Sequence, residues 1–210
     1  MSLLWQPWTE QQPHRPDAGR CVLAQHDDAS VVVYQAFSAS IADHAAATGR
    51  LDGGGFSLSR MGWIKPNFLW MMFRCGWATK PQQERVLTVR LRREGFDAII
   101  AQAVASSWDR GQHPTRAAWE AAVKASDVRL QWDPDHGPGG EPLARRAVQL
   151  ELRGDTLRRY VHTWTVSIED ITADVRAQHA ALQHGGPAAL STPVERPYPL
   201  ALPAPRPAVE

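Results

Sequence analysis

Between Asp52 and Glu84 the chain carries no acidic residue, while Arg60, Lys65, Arg74 and Lys80 all fall there. The whole protein has a formal net charge of +1, so this basic block is a local feature that a neutral average hides. Cations without nearby carboxylates suit a phosphate or carboxylate ligand, and arginine offers a forked guanidinium for either. Tryptophan is concentrated in the same stretch: Trp63, Trp70 and Trp77 are three of the 9 in the chain. Lys65-Pro66 reads as a cation placed directly before a helix start, where free N–H groups and the positive end of the helix dipole draw anions. Arg60 lies just upstream and can return to the same spot. Trp63, between them, presents a flat face for a base or a nicotinamide ring. On a helix opening at Pro66, Trp70 and Arg74 are four residues apart and share a face.

Glu84 is the candidate catalytic carboxylate. It opens a strand after a short polar loop, ATKPQQ, from which a side chain can reach a cleft edge. Glycosyl transfer passes through an oxocarbenium-like state that a carboxylate stabilises. Tyr34 and Gln35 sit in an early strand and point to opposite faces. Both are candidate ligand contacts, with core packing the plainer role for Tyr34. Core packing is likewise the plainer role for Trp70, Met71, Met72 and Phe73. Unpaired surface cations such as Arg60 and Lys65 often do nothing measurable. Asp133, Asp135 and His136 (WDPDH) form a small cluster that reads as turn chemistry, and the histidines have no ligand spacing, so no metal is expected. Cys75 falls in an apolar helix and is expected to be inert. There is no G-x-S-x-G, P-loop or G-x-G-x-x-G.

The elements that must position these residues read as one domain. At 210 residues, with 43% hydrophobic and 21% charged residues, the chain can bury a core without staples. Two cysteines cannot make a disulfide framework, no run is long enough to span a membrane, and no secretory signal is visible, so a cytoplasmic setting is expected. The division expected is an N-terminal extension over 1–19, a domain over 20–184 and a disordered Pro/Ala-rich tail over 185–210. Within the domain, SVVVYQAF (30–37) reads as a buried strand, followed by a helix stopped by Gly49 and a Gly-rich loop. A helix from Pro66 to Gly76, a strand over 84–92 and helices in EGFDAIIAQAVASSW and HPTRAAWEAAVKAS come next. VRLQWDP and RRAVQLELRG pair as strands, and a helix–strand–helix closes the domain. Without regular βαβ spacing, the fold class is α+β, a mainly antiparallel sheet flanked by helices.

The stretches VVYQAF, IADHAAATG, RMGWIKPNFLWMMFRCGWATKPQQERVLTVRL, VRLQWDPD and LRRYVHTWTVSIEDIT resemble the domain-of-unknown-function family 4291, over about residues 20 to 180. A fainter resemblance is to ADP-ribosyltransferases. VYQAF, IADHAAATGRL and QERVLTVRL look like the opening strand, following helix and Glu-led strand of that fold, in order. The resemblance implies a split antiparallel sheet with NAD as substrate. Gln35 would stand where a first-strand His or Arg contacts the ribose, Arg60 and Lys65 would hold pyrophosphate, and Glu84 would support the oxocarbenium. Gln35 departs from that pattern, being neither His nor Arg, and no middle-strand Ser or Tyr is evident.

Three functions follow as expectations. The first is ADP-ribosyl transfer from NAD to a nucleic acid, nucleotide or protein acceptor. The second is a non-catalytic nucleic-acid binding domain, with Trp63 and Trp77 stacking on bases and Arg60, Lys65, Arg74 and Lys80 on phosphates. The third is a partner-binding module that works through its Pro-rich tail. The first leads, because near-zero net charge favours a small site over a long groove.

Overall fold

Two β-branched runs form the centre of the fold, and both are buried on both faces because helices cover them from either side. The structure is a computed structural model and describes residues 3–199. In chain order the main elements begin with β1 (Trp5–Pro7), α1 (Trp8–Gln11), β2 (Gly19–Arg20), β3 (Leu23–Ala24), β4 (Ser30–Phe37) and α2 (Ala39–Thr48). They continue with β5 (Gly62–Ile64), α3 (Phe68–Cys75), β6 (Arg85–Arg92), α4 (Arg93–Ala101), β7 (Val104–Ala105) and α5 (Arg116–Ala125). The last are β8 (Val128–His136), β9 (Pro142–Leu152), α6 (Gly154–Arg159), β10 (Thr165–Asp170), α7 (Thr172–Gly185), β11 (Ser191–Pro193) and β12 (Arg196–Pro197). A π-helical turn, Tyr160–Trp164, joins α6 to β10. The protein is a single domain of mixed α and β structure, with several mostly antiparallel sheets. No described helix is long and apolar enough to cross a membrane.

One sheet has the order β10-β6-β4, and a second has β2-β9-β8-β7 with β5 also paired to β9. They touch at one bridge: Tyr34 N donates to Lys65 O at 2.7 Å, and Lys65 N donates back to Tyr34 O at 3.2 Å. Past that bridge β4 and β5 part. The Gln35 side chain spans the gap, its Nε2 donating to Trp63 O at 3.0 Å. Alternation along β4 sends Val31 and Val33 into one apolar cluster and Val32 and Tyr34 into another. The first cluster takes in Ala42 of α2 and Phe96 and Ile99 of α4, and the second takes in Phe68 and Met72 of α3 and Val175 of α7.

Four features differ from the sequence expectations. The helix expected from Pro66 starts two residues later, because the Asn67 side chain accepts from Trp70 N at 2.8 Å and so takes the cap. The helix expected over EGFDAIIAQAVASSW ends at Ala101, and its tail becomes β7, pulled flat by parallel pairing with β8. The WDPDH cluster is strand, since β8 runs on through His136.

The fourth difference concerns the ends. Of the tail expected to be disordered from 185, residues 186–199 are ordered, while 200–210 lie outside the described residues. β11 pairs antiparallel with β1 and β12 with β3. This Pro- and Ala-rich segment has no core of its own and is held by burying Leu190 and Tyr198 in the clusters of the domain. The N-terminal extension is equally tied in, with Trp8, Gln11 and Arg15 buried. Gln11 Nε2 donates to Thr192 O at 3.0 Å, and Arg15 forms an ion pair with Glu195 at 3.3 Å.

Candidate functional site

A cavity of about 650 Å³ opens where β4 and β5 part. Gln35 and Phe37 enter it from the end of β4, and Trp63 and Lys65 from β5 and the residue after it. Trp70, Met71 and Arg74 reach it from α3. Gln131 and Asp133 on β8, with Gln149 on β9, line it from the second sheet. Residues two apart on a strand share a face, so Gln131 and Asp133 point the same way, and Gln149 is the cross-strand partner of Gln131. Arg60 arrives on the Gly-rich loop. That loop requires Gly54, whose φ is +64° and whose added Cβ would collide with the Ser40 carbonyl at the start of α2.

The cavity gathers three cations. Lys65 is only 6% exposed, and no described residue makes a hydrogen bond or ion pair with its Nζ. Burial, and then the neighbouring Arg74 charge, lower its pKa to about 8, against an opposing pull from Asp133. Arg60 and Arg74 likewise have no carboxylate partner among the described residues. Some arginines elsewhere are paired with acids: Arg85 lies between Asp43 and Asp170, Arg129 meets Glu151 at 3.2 Å and Arg145 meets Asp135 at 2.7 Å. Asp133 is the one carboxylate among the described lining residues. Its two oxygens are already engaged, accepting from Gln131 Nε2 at 2.8 Å and from Gln149 Nε2 at 2.9 Å. Three cations therefore face one acid whose orientation is fixed by two amides.

Gln35, Arg60, Trp63, Lys65 and Arg74, all singled out from the sequence, line this cavity. Tyr34 and Glu84 do not. Tyr34 projects to the other face of β4, fully buried edge-on to Phe68 at 5.5 Å. Its hydroxyl has no hydrogen-bond partner among the described residues, and burial pushes its pKa well up. Glu84 curls back onto its own turn, accepting from Gln82 N at 2.8 Å, where Gln82 has φ of +64°. Its neighbour Gln83 reaches the cavity instead.

The expected anion site at the helix start is taken by the protein itself. Phe68 N, at the first position of α3, donates to Glu195 Oε1 at 2.5 Å. Trp77 and Lys80 also have structural duties. Trp77 stacks on His179 with ring centroids 5.0 Å apart. Lys80 Nζ donates to Arg74 O at 2.8 Å, satisfying a carbonyl at the C-terminal end of α3. Phe73, expected in the core, is 41% exposed and lies flat against His136 at 3.6 Å. Burial of Cys75 raises its thiol pKa, as its apolar helix implies.

Gln131, Asp133 and Gln149 escape the sequence reading. Their signal is a polar residue at every second position of β8, with Gln149 opposite Gln131 on β9, which taking WDPDH as a turn conceals. Gln35 itself is fixed from behind, since Tyr160 Oη donates to Gln35 Oε1 at 2.6 Å. The π-helical turn supplies that tyrosine, and Gln35 retains one amide hydrogen free to face a ligand. The arrangement can hold an anion with Arg60, Lys65 and Arg74, pack a flat ring beside Trp63 or Trp70, and present a carboxylate to whatever lies between.

The sequence pattern of one family, described as Domain of unknown function (DUF4291), matches residues 21–198. No curated protein matches the chain.

Proposed function

The chain belongs to the DUF4291 family, and from the chemistry of its cavity we propose that this member binds a nucleotide, with NAD the leading ligand. One observation carries the proposal: Arg60, Lys65 and Arg74 line a single cavity with no ion-pair partner among the described residues, beside the half-buried indole of Trp63. Of the three only Lys65 is buried, and a desolvated cation is costly to leave unpaired. A phosphate-bearing ligand would relieve that cost, and a pyrophosphate could engage more than one of them.

ADP-ribosyl transfer is the reaction we attach to this binding, on an ADP-ribosyltransferase-like reading of the split between β4 and β5. The carboxylate suited to the oxocarbenium-like ribose is then Asp133, which faces the cavity, in place of Glu84, which does not. Gln35 would touch the ribose through its free amide hydrogen. The acceptor would be a nucleic acid, nucleotide or protein reaching the open side of the cavity. The alternative of a nucleic-acid groove has less support, because Trp77 is stacked on His179 and Lys80 caps α3.

Calorimetric titration with NAD tests the binding. Arg60→Ala is expected to weaken it by about tenfold or more, the loss of one charged hydrogen bond. Incubation with labelled NAD and candidate acceptors tests the reaction. Asp133→Asn should abolish transfer while retaining binding, and Glu84→Gln should leave both intact. Absence of saturable binding at millimolar NAD would remove the proposal.

A further inference from the structure

The chain contains three lysines, Lys65, Lys80 and Lys124. Lys80 is spent on carbonyls at the end of α3, and Lys124 is exposed in the last turn of α5. Lys65 alone is buried, faces the cavity and has no partner among the described residues. A cation that only held phosphate would be better served by arginine, which stays charged when buried. Lysine differs in being able to give up its proton and act as a nucleophile.

We propose that the cavity accepts a phosphorylated sugar with a free anomeric carbon, and that Lys65 Nζ forms an imine with the open, carbonyl form of that carbon. The inference rests on the anion-binding reading above, since Arg60 and Arg74 recruit the phosphate. ADP-ribose belongs to this class: it is a nucleotide, and its terminal ribose opens to an aldehyde. The Nζ lone pair adds to the carbonyl carbon, and one proton passes from nitrogen to the former carbonyl oxygen to give a carbinolamine. Loss of that hydroxyl with the second nitrogen proton releases one water and leaves the C=N bond. The lowered basicity of Lys65 leaves a usable fraction of neutral amine near pH 8. Asp133, held by its two glutamines, is the cavity group placed to exchange protons during these steps.

The test is reductive trapping. The full chain is incubated with ADP-ribose and cyanoborohydride, which delivers hydride to carbon and fixes the adduct as a secondary amine. Peptide mapping then reads which lysine is labelled. Label is expected on Lys65 more than about tenfold faster than on Lys80 or Lys124, because the neutral fraction of an amine grows about tenfold for each pH unit its pKa falls. Lys65→Arg should give no site-specific adduct, and Arg60→Ala should lower binding and labelling together. Comparable labelling of all three lysines, with ADP-ribose binding intact, overturns the imine and leaves the anion site standing. No ADP-ribose binding at all overturns the anion site as well. The wild-type peptide map decides the matter even if Lys65→Arg proves unstable.

Discussion

Lys65 carries two opposed demands. An amine buried without a partner destabilises the fold, and on the proposed reading it is held available to a ligand. Its pKa in the folded protein lies below that of the unfolded chain, so the folded state binds fewer protons between about pH 8 and the ordinary lysine range. By linkage, stability is fullest above the unfolded pKa and is lost as pH falls from there to about 8. Lys65→Met is therefore expected to raise stability at pH 7 by up to about 3 kcal/mol, since each tenfold loss of proton affinity on folding costs about 1.4 kcal/mol. NAD binding should fall in the same variant. Denaturant unfolding set beside calorimetry checks the pair, and a less stable Lys65→Met would contradict it. A second residue-scale expectation concerns Tyr160. Removing its hydroxyl leaves buried Gln35 Oε1 without its donor, and Tyr160→Phe should cost about 1–3 kcal/mol. A cost near zero in thermal unfolding would mean that the hydrogen bond does not fix Gln35.

At the scale of elements, the cavity exists because two strands separate and a glycine loop closes the opening between them. Gly54→Ala would add strain at a left-handed φ and a clash with the Ser40 carbonyl. It is expected to destabilise by about 1–3 kcal/mol and to weaken NAD binding by displacing the loop that carries Arg60. Unchanged affinity in this variant would separate the loop from the site. Much of this layout is legible in the sequence. The β-branched run of β4, the alternation of β6 and the glycine stops after α2 and α3 are local signals written in local chemistry. β5 is not legible, because a strand of only Gly62–Ile64 owes its form to β9 and not to its own residues. Five cavity residues can be named in advance: three cations and Trp63 are conspicuous in any order, and Gln35 follows from the alternation of β4. Asp133 cannot, because the proline beside it and the Gly-rich turn that follows make its surroundings look like loop. Glu84 is misplaced for a related reason: nothing local reveals that Gln82 turns the chain back on itself.

At the scale of the molecule, the two ends of the chain are joined across the domain. Arg15, Gln11 and Glu195 meet in the interior, and Glu195 supplies the negative charge at the start of α3, the helix that carries Trp70, Met71 and Arg74. Burial raises the Glu195 carboxyl to about 7 despite the pull of Arg15. A raised acid pKa means that the folded state holds its proton longer, so this contribution is full below the unfolded carboxyl pKa and is lost as pH climbs to about 7. Glu195→Gln should flatten that slope in unfolding measured across about pH 4 to 8, and an unchanged slope would place the titration elsewhere. Deleting everything after Gly185 is expected to destabilise the whole domain and lower NAD binding with it. A merely mobile tail would leave both untouched, and melting temperature distinguishes the two.

The contact between Phe68 and Glu195 spans 127 residues of sequence. During synthesis, α3 emerges long before its counter-charge has been translated, and contacts this distant in sequence are the slow ones to form. The helix that bears Trp70, Met71 and Arg74 must wait, incompletely satisfied, for residues translated much later. On the proposed reading of the cavity, ligand binding arrives only once β11 and β12 have been made.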